Sequence, residues 1–163
     1  MLRSRTEGQA LVETAFSMSL LVLMMLGSVE FGRLAYAALE VSNAAKAAAQ
    51  YGAQNDATAL NQAGMLKAAQ NEFLTPSAVS LVLPSGSNGY TCSCVNNSGT
   101  TTSVSTSSCI TNNSLTAPIC SSGSYLQVTI QVQTQTTFDP LIHIVGLPTS
   151  YTLNGTAQQE VLQ

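Results

Sequence analysis

The sequence predicts an α+β protein in which a long, membrane-spanning N-terminal helix packs on a small antiparallel β-sheet. Three observations predict it. Between Glu13 and Glu30 lie sixteen uncharged residues, TAFSMSLLVLMMLGSV. Residues 30–53 continue without proline and are rich in alanine. Residues 125–134 then alternate almost perfectly between apolar and polar side chains.

Counting back to Ala10, twenty residues precede Glu30 with Glu13 as their only charge. At 1.5 Å per residue such a run spans roughly 30 Å, the thickness of a bilayer's hydrocarbon core. Arg3 and Arg5 precede it, so the positive-inside tendency keeps the short N-terminus cytoplasmic and exports the rest. A secretory signal with Ala35-Tyr36-Ala37 as its cleavage site is the rival reading. The apolar run is long for that, and Glu30 and Arg33 crowd the cut. Residues 30–53 read as the same rod continuing beyond the membrane, because alanine is the best helix former. Leu34, Val41 and Ala48 recur every seven residues, with Ala38, Ala45 and Gly52 beside them, making a narrow seam of small side chains. That seam suits either a core or an intersubunit contact.

In the exported part, Asn55 and Asp56 are N-cap candidates for a second helix carrying Leu60, Ala63, Leu66, Ala69 and Phe73, which Thr75-Pro76 ends. Residues 78–83 read as a strand that stops before a turn-rich 85–89. Leu126, Val128, Ile130 and Val132 point one way along a half-buried strand over 125–134, with glutamines and Thr129 opposite. A last strand is expected over about 151–161, alternating through Tyr151, Leu153, Gly155 and Ala157. An apolar link, Phe138-Asp139-Pro140-Leu141 to Val145-Gly146-Leu147-Pro148, joins these two strands.

Composition narrows the function. Of the 163 residues 45% are hydrophobic and only 8% charged, against roughly 25% charged in ordinary globular domains. The net charge is −3, and every Lys and Arg lies at or before Lys67, so nucleic-acid binding is not expected. No nucleotide loop, catalytic triad or paired catalytic carboxylates are present. Neither an enzyme nor a cofactor is expected. His143, the one histidine, has no second ligand near it in sequence and reads as structural or exposed.

Residues 85–124 form a Ser/Thr/Asn-rich insertion, expected to be exposed. It holds Cys92, Cys94, Cys109 and Cys120, spaced C-x-C-x14-C-x10-C. Four cysteines in an exported region favour two disulfides, with three possible connectivities. Four zinc-bound thiolates are the alternative, but C-x-C matches zinc knuckles poorly, so no metal is expected. Asn96, Asn112 and Asn154 each begin an N-x-[ST] triplet, a pattern that arises readily by chance here.

Glu13 stands out because a carboxylate inside an apolar span is costly unless it serves a purpose. It is fifth after Gly8, behind a short leader with two arginines. Leader, glycine, fifth-position glutamate and apolar helix together resemble the prepilin processing signal of type IV pilins. The pattern continues with Ala10-Leu11-Val12-Glu13, Gly27-Ser28-Val29-Glu30-Phe31-Gly32-Arg33, and Ser42-Asn43-Ala44-Ala45-Lys46 through Tyr51-Gly52-Ala53. This resembles the N-terminal signature of TadE-like proteins, minor pilins or pseudopilins of the tight-adherence (Flp) pilus. Lys46 followed by two alanines departs from the family's commoner Arg-Glu-Gly.

The resemblance implies a pilin-like α+β fold and a role in assembly for adhesion or secretion. It implies a leader over 1–8 cut between Gly8 and Gln9, with Glu13 guiding subunit docking. A long helix over 9–53, membrane-embedded to about 32, would then carry an exported domain over 54–163. Membrane lipid, a prepilin peptidase, other pilin subunits and the pilus machinery are the implied partners, at the bacterial inner membrane. The competing expectation is a permanently anchored, uncut module whose insertion binds a partner.

Overall fold

The computed structural model describes residues 4–83, 89–104, 109–111, 114–115, 120–143, 146 and 148–161. The turn expected at 85–89 falls mostly outside them, as do Asn112 and part of the 138–148 link.

One helix, α1, runs from Ser4 to Gly52. Its length is about 73 Å at 1.5 Å per residue. Its two halves live in different surroundings. From Gly8 to Val29 every residue is exposed, whereas Val41, Ala44, Ala45, Ala48, Ala49 and Gly52 are buried. Three hydroxyls in the bare half bond within the helix: Thr14 Oγ1 donates to the Ala10 carbonyl, Ser19 Oγ to Phe16 and Ser28 Oγ to Met25, each at 2.7–2.8 Å. Self-satisfied hydroxyls are what a lipid environment requires, because hydrocarbon offers no partner.

The expected second helix is two helices, α2 (Asp56–Ala59) and α3 (Gln62–Asn71). Asn55 caps α2 in a reciprocal capping box with Thr58, as its position suggested. Asn61 caps α3 by accepting from the Gly64 N–H at 2.9 Å, and this second cap makes the break. The break turns the register, so that Met65 and Ala69 are buried and Ala63 is exposed. Leu60 is only partly buried, against the same core.

The sheet is antiparallel and built around one long strand. In chain order the strands are β1 (Ser80–Val82), β2 (Tyr90–Asn96), β3 (Thr101–Val104), β4 (Ile110–Thr111), β5 (Ser114–Leu115), β6 (Ser124–Phe138) and β7 (Tyr151–Glu160). Along one edge of β6, β2 pairs with residues 124–130 and β1 with residues 133–135. The other edge of β6 carries β7 over Thr129–Phe138. β3 extends the sheet beyond β2, and β4 with β5 forms a separate small hairpin.

The alternation expected for β6 is present and extends past Thr134 to Phe138, with Val128, Ile130, Val132, Thr134, Thr136 and Phe138 buried. Two of these inward side chains are polar. The Thr134 hydroxyl donates to the Val41 carbonyl of α1 at 2.7 Å, and the Thr136 hydroxyl to the Ala78 carbonyl at 2.9 Å. Neither oxygen is stranded, which is why threonine is tolerated there.

The small-residue seam of α1 meets this face of the sheet together with α3. Within one chain it is therefore a core stripe; of the residues read into it, only Ala38 is exposed. β2 is a strand that sequence reasoning overlooked, although its Tyr, Thr, Cys and Val residues suit one. The insertion is also less detached than expected, since β3 joins the sheet and Cys109 is fully buried. Its Asn96 is occupied in a turn, accepting from the backbone N–H groups of Ser98 and Thr100.

Two disulfides pin the insertion: Cys92–Cys109, with Cα atoms 6.6 Å apart, and Cys94–Cys120, at 5.5 Å. Cys92 and Cys94 are two apart on β2, so both can reach away from the same face of the strand. Bridges closing loops of this size stabilise by about 3 kcal/mol each. In protein exported to an oxidising compartment all four thiols should resist alkylation until a reductant is added. Quantitative labelling without reductant would contradict the pairing.

Candidate assembly and processing site

The residues singled out near the N-terminus sit on the bare half of α1. Gly8 lies inside the helix, and a Cβ built on it meets nothing within 4 Å. The fold itself therefore has no steric need for glycine there. Gln9 follows it, also exposed. Glu13 lies five residues past Gly8, a little over one helical turn, which is about 7.5 Å along the axis. Its carboxylate is exposed, and no described residue hydrogen-bonds or pairs with it. The neighbouring polar residue Thr14 differs in this respect, since its hydroxyl is satisfied within the helix.

A second constellation lies where the bare half of α1 gives way to the packed half. The Glu30 carboxylate accepts from Arg33 Nη1 at 3.3 Å on one oxygen and from the Leu141 backbone N–H at 3.0 Å on the other. The Arg33 guanidinium lies over the Phe138 ring, 5.4 Å from its centroid. As a partly exposed i,i+3 pair, Glu30 and Arg33 contribute at most about 1 kcal/mol of ion-pair energy. Their effect is geometric: they tie the connection after β6 to α1 at one level. Two grooves flank Phe138, one of about 480 Å³ against Val29, Arg33 and Tyr36, and one of about 580 Å³ against Gly27, Phe31 and Leu34.

Sequence reasoning quoted Glu30-Phe31-Gly32-Arg33 but assigned those side chains no contact. Nothing in the sequence pairs a carboxylate with an N–H 111 residues away. His143 is exposed, as one of the two readings of it had it. Among the described residues no group of three or more His, Cys, Asp or Glu side chains converges as a metal site.

The model of the TadE-like protein family matches residues 8–50. Its match begins at Gly8 and covers Glu13, the Glu30–Arg33 box and nearly all of the buried seam. No curated protein and no solved structure matches the chain. From the glycine through the charged box to the packed stripe, the N-terminal helix is thus similar to that of TadE-like proteins over residues 8–50.

Proposed function

We propose that this chain is a minor pilin or pseudopilin: a membrane-stored structural subunit, cut after Gly8 and then packed through its N-terminal helix into a pilus or its initiating complex. The observation that carries the reading is the unpartnered Glu13 carboxylate on a span that is otherwise apolar and bare. Cleavage after Gly8 would free an α-ammonium on Gln9. In a packed filament core an isolated carboxylate or ammonium costs several kcal/mol, and each would remove that cost for the other across a subunit boundary. The bare half of α1 supplies the surface for such packing, and lipid covers it until then. The bacterial inner membrane, with the N-terminus cytoplasmic, is the corresponding address, and a prepilin peptidase and the pilus machinery are the partners.

Intact mass of the membrane-extracted protein tests this. Loss of residues 1–8 is expected, while loss of 1–37 would mean ordinary secretion. An intact chain would favour the permanently anchored binding module. Gly8→Ala should fold normally, since its Cβ points into open space. It should still abolish the mass shift in a host carrying the cognate peptidase, whose active site must accept the residue at the cut. Equal processing of Gly8→Ala and wild type would refute the assigned cut site.

A further inference from the structure

The connection after β6 carries an apolar tip, the pair Leu141 and Ile142, that the described residues leave largely uncovered. Leu141 is 66% exposed and Ile142 42%. Exposed apolar residues are common singly, but these two are held at a defined height on α1. The Leu141 N–H bonds the Glu30 carboxylate. Glu30 ends a run of twenty residues whose only charge is Glu13, which spans roughly 30 Å and so matches the hydrocarbon core. With that run in the membrane, Glu30 marks the exit boundary and the tip lies level with it.

The surroundings fit the same boundary. Phe31 and Tyr36 on α1 and Tyr151 at the start of β7 are all exposed near this level, and aromatic side chains favour the zone between acyl chains and water. The larger groove, lined by Gly27, Phe31, Leu34, Pro140, Ile142 and Tyr151 among others, opens beside the tip. The charges at this level are few, and two of them, Glu30 and Arg33, already pair with each other.

We propose that Leu141 and Ile142, held at the height of Glu30, form a second membrane contact that inserts into the headgroup–acyl boundary beside α1. The occupant of this surface is bilayer lipid, because the apolar lining of the groove runs from Gly27 on the bare half of the helix to Ile142, with Glu30 its one charged residue. The exposed Asp139 and His143 beside the apolar pair suit the headgroup side of such a boundary. The contact rests on the membrane-stored reading above. It would seat the exported domain on the bilayer, restricting rotation about the helix axis until the subunit is extracted. Extraction would then have to withdraw the tip along with the helix.

The chain has no tryptophan, so one introduced indole reports its own surroundings. The full chain carrying Ile142→Trp is reconstituted in phosphatidylcholine vesicles with a nitroxide placed shallow or deep in the acyl chain. Leu20→Trp reports the middle of the span. Gln54→Trp, just past the end of α1, which lies about 33 Å along the helix beyond Glu30, reports the far end of the domain. Protection of all four cysteines from alkylation verifies each variant's fold. Ile142→Trp should show blue-shifted emission and lose intensity to the shallow label, equally at every protein-to-lipid ratio. Leu20→Trp should lose intensity to the deep label, and Gln54→Trp to neither.

Solvent-like, unquenched emission from Ile142→Trp with Leu20→Trp quenched would overturn the contact while leaving the membrane reading intact. A blue shift that appears only at high protein-to-lipid ratio would assign the tip to a second copy of the chain and overturn the lipid contact. An unquenched Leu20→Trp would overturn the membrane reading and the contact with it.

Discussion

Replacing Gly155 by valine should cost the helix-on-sheet domain about 3 kcal/mol or more, a large share of the 5–15 kcal/mol that stabilises a typical domain. Gly155 on β7 faces the backbone of α1. A Cβ there would overlap the Val41 carbonyl and come within 2.9 Å of the Ser42 Cα. Both obstacles are backbone, so no rotamer change relieves them. The register explains the crowding: Gly155 pairs with Thr134 on β6, whose hydroxyl donates to that same Val41 carbonyl. A bare Cα and a threonine hydroxyl thus let the helix lie directly on the strand pair.

The expected measurement is a lowered denaturation midpoint of the detergent-solubilised chain, with earlier exposure of the buried disulfide to reductant. Gly155→Ala should show most of the effect, and Thr134→Val about 1 kcal/mol from the lost hydrogen bond. Gly27→Ala is the control, since its Cβ meets nothing within 4 Å and the change favours helix. If Gly155→Val and Gly27→Ala denature alike, the close helix–strand contact is not what holds the domain together.

Glu13→Gln should produce the second large effect, in assembly and not in folding. No described residue contacts the Glu13 carboxylate, so the substitution removes nothing from the fold, and it lowers the cost of membrane insertion. On the minor-pilin reading it leaves the partner ammonium unpaired in an apolar packing layer, a penalty of about 3–5 kcal/mol or well over a hundredfold in the assembly equilibrium. The readout is the ratio of assembled to membrane-stored protein for wild type, Glu13→Gln and Glu7→Gln, the last a change within the leader. A Glu13→Gln ratio equal to wild type would mean that Glu13 merely reaches water at the membrane surface.

Sequence patterns and tertiary structure contributed different parts of this account. The long apolar helix was legible because sixteen consecutive uncharged residues are a strong local signal, and β6 because its period of two leaves no other regular structure. The proposed site at Gly8 and Glu13 was suggested in the same local way, by their fixed spacing ahead of the apolar run. The number of cysteines, in a region expected to be exported, indicated two disulfides. Which cysteines pair could not follow, since connectivity depends on how β2 and the insertion meet.

The split of the second helix at Asn61 escaped because one asparagine side chain, by capping Gly64, outweighs a pattern that read as continuous. Likewise Thr134, Gly155 and Glu30 look unremarkable along the chain, for their meaning lies in partners 93, 114 and 111 residues away. By itself the sequence determined which segment is long and apolar enough to cross a membrane, that residues 125–134 form a half-buried strand, and that one charge, Glu13, lies within the apolar segment. Only the tertiary structure decided that the small-residue seam faces the chain's own sheet and that the Glu30 carboxylate holds the Leu141 N–H. Periodicity specifies which face of an element is apolar, whereas packing alone specifies what that face meets.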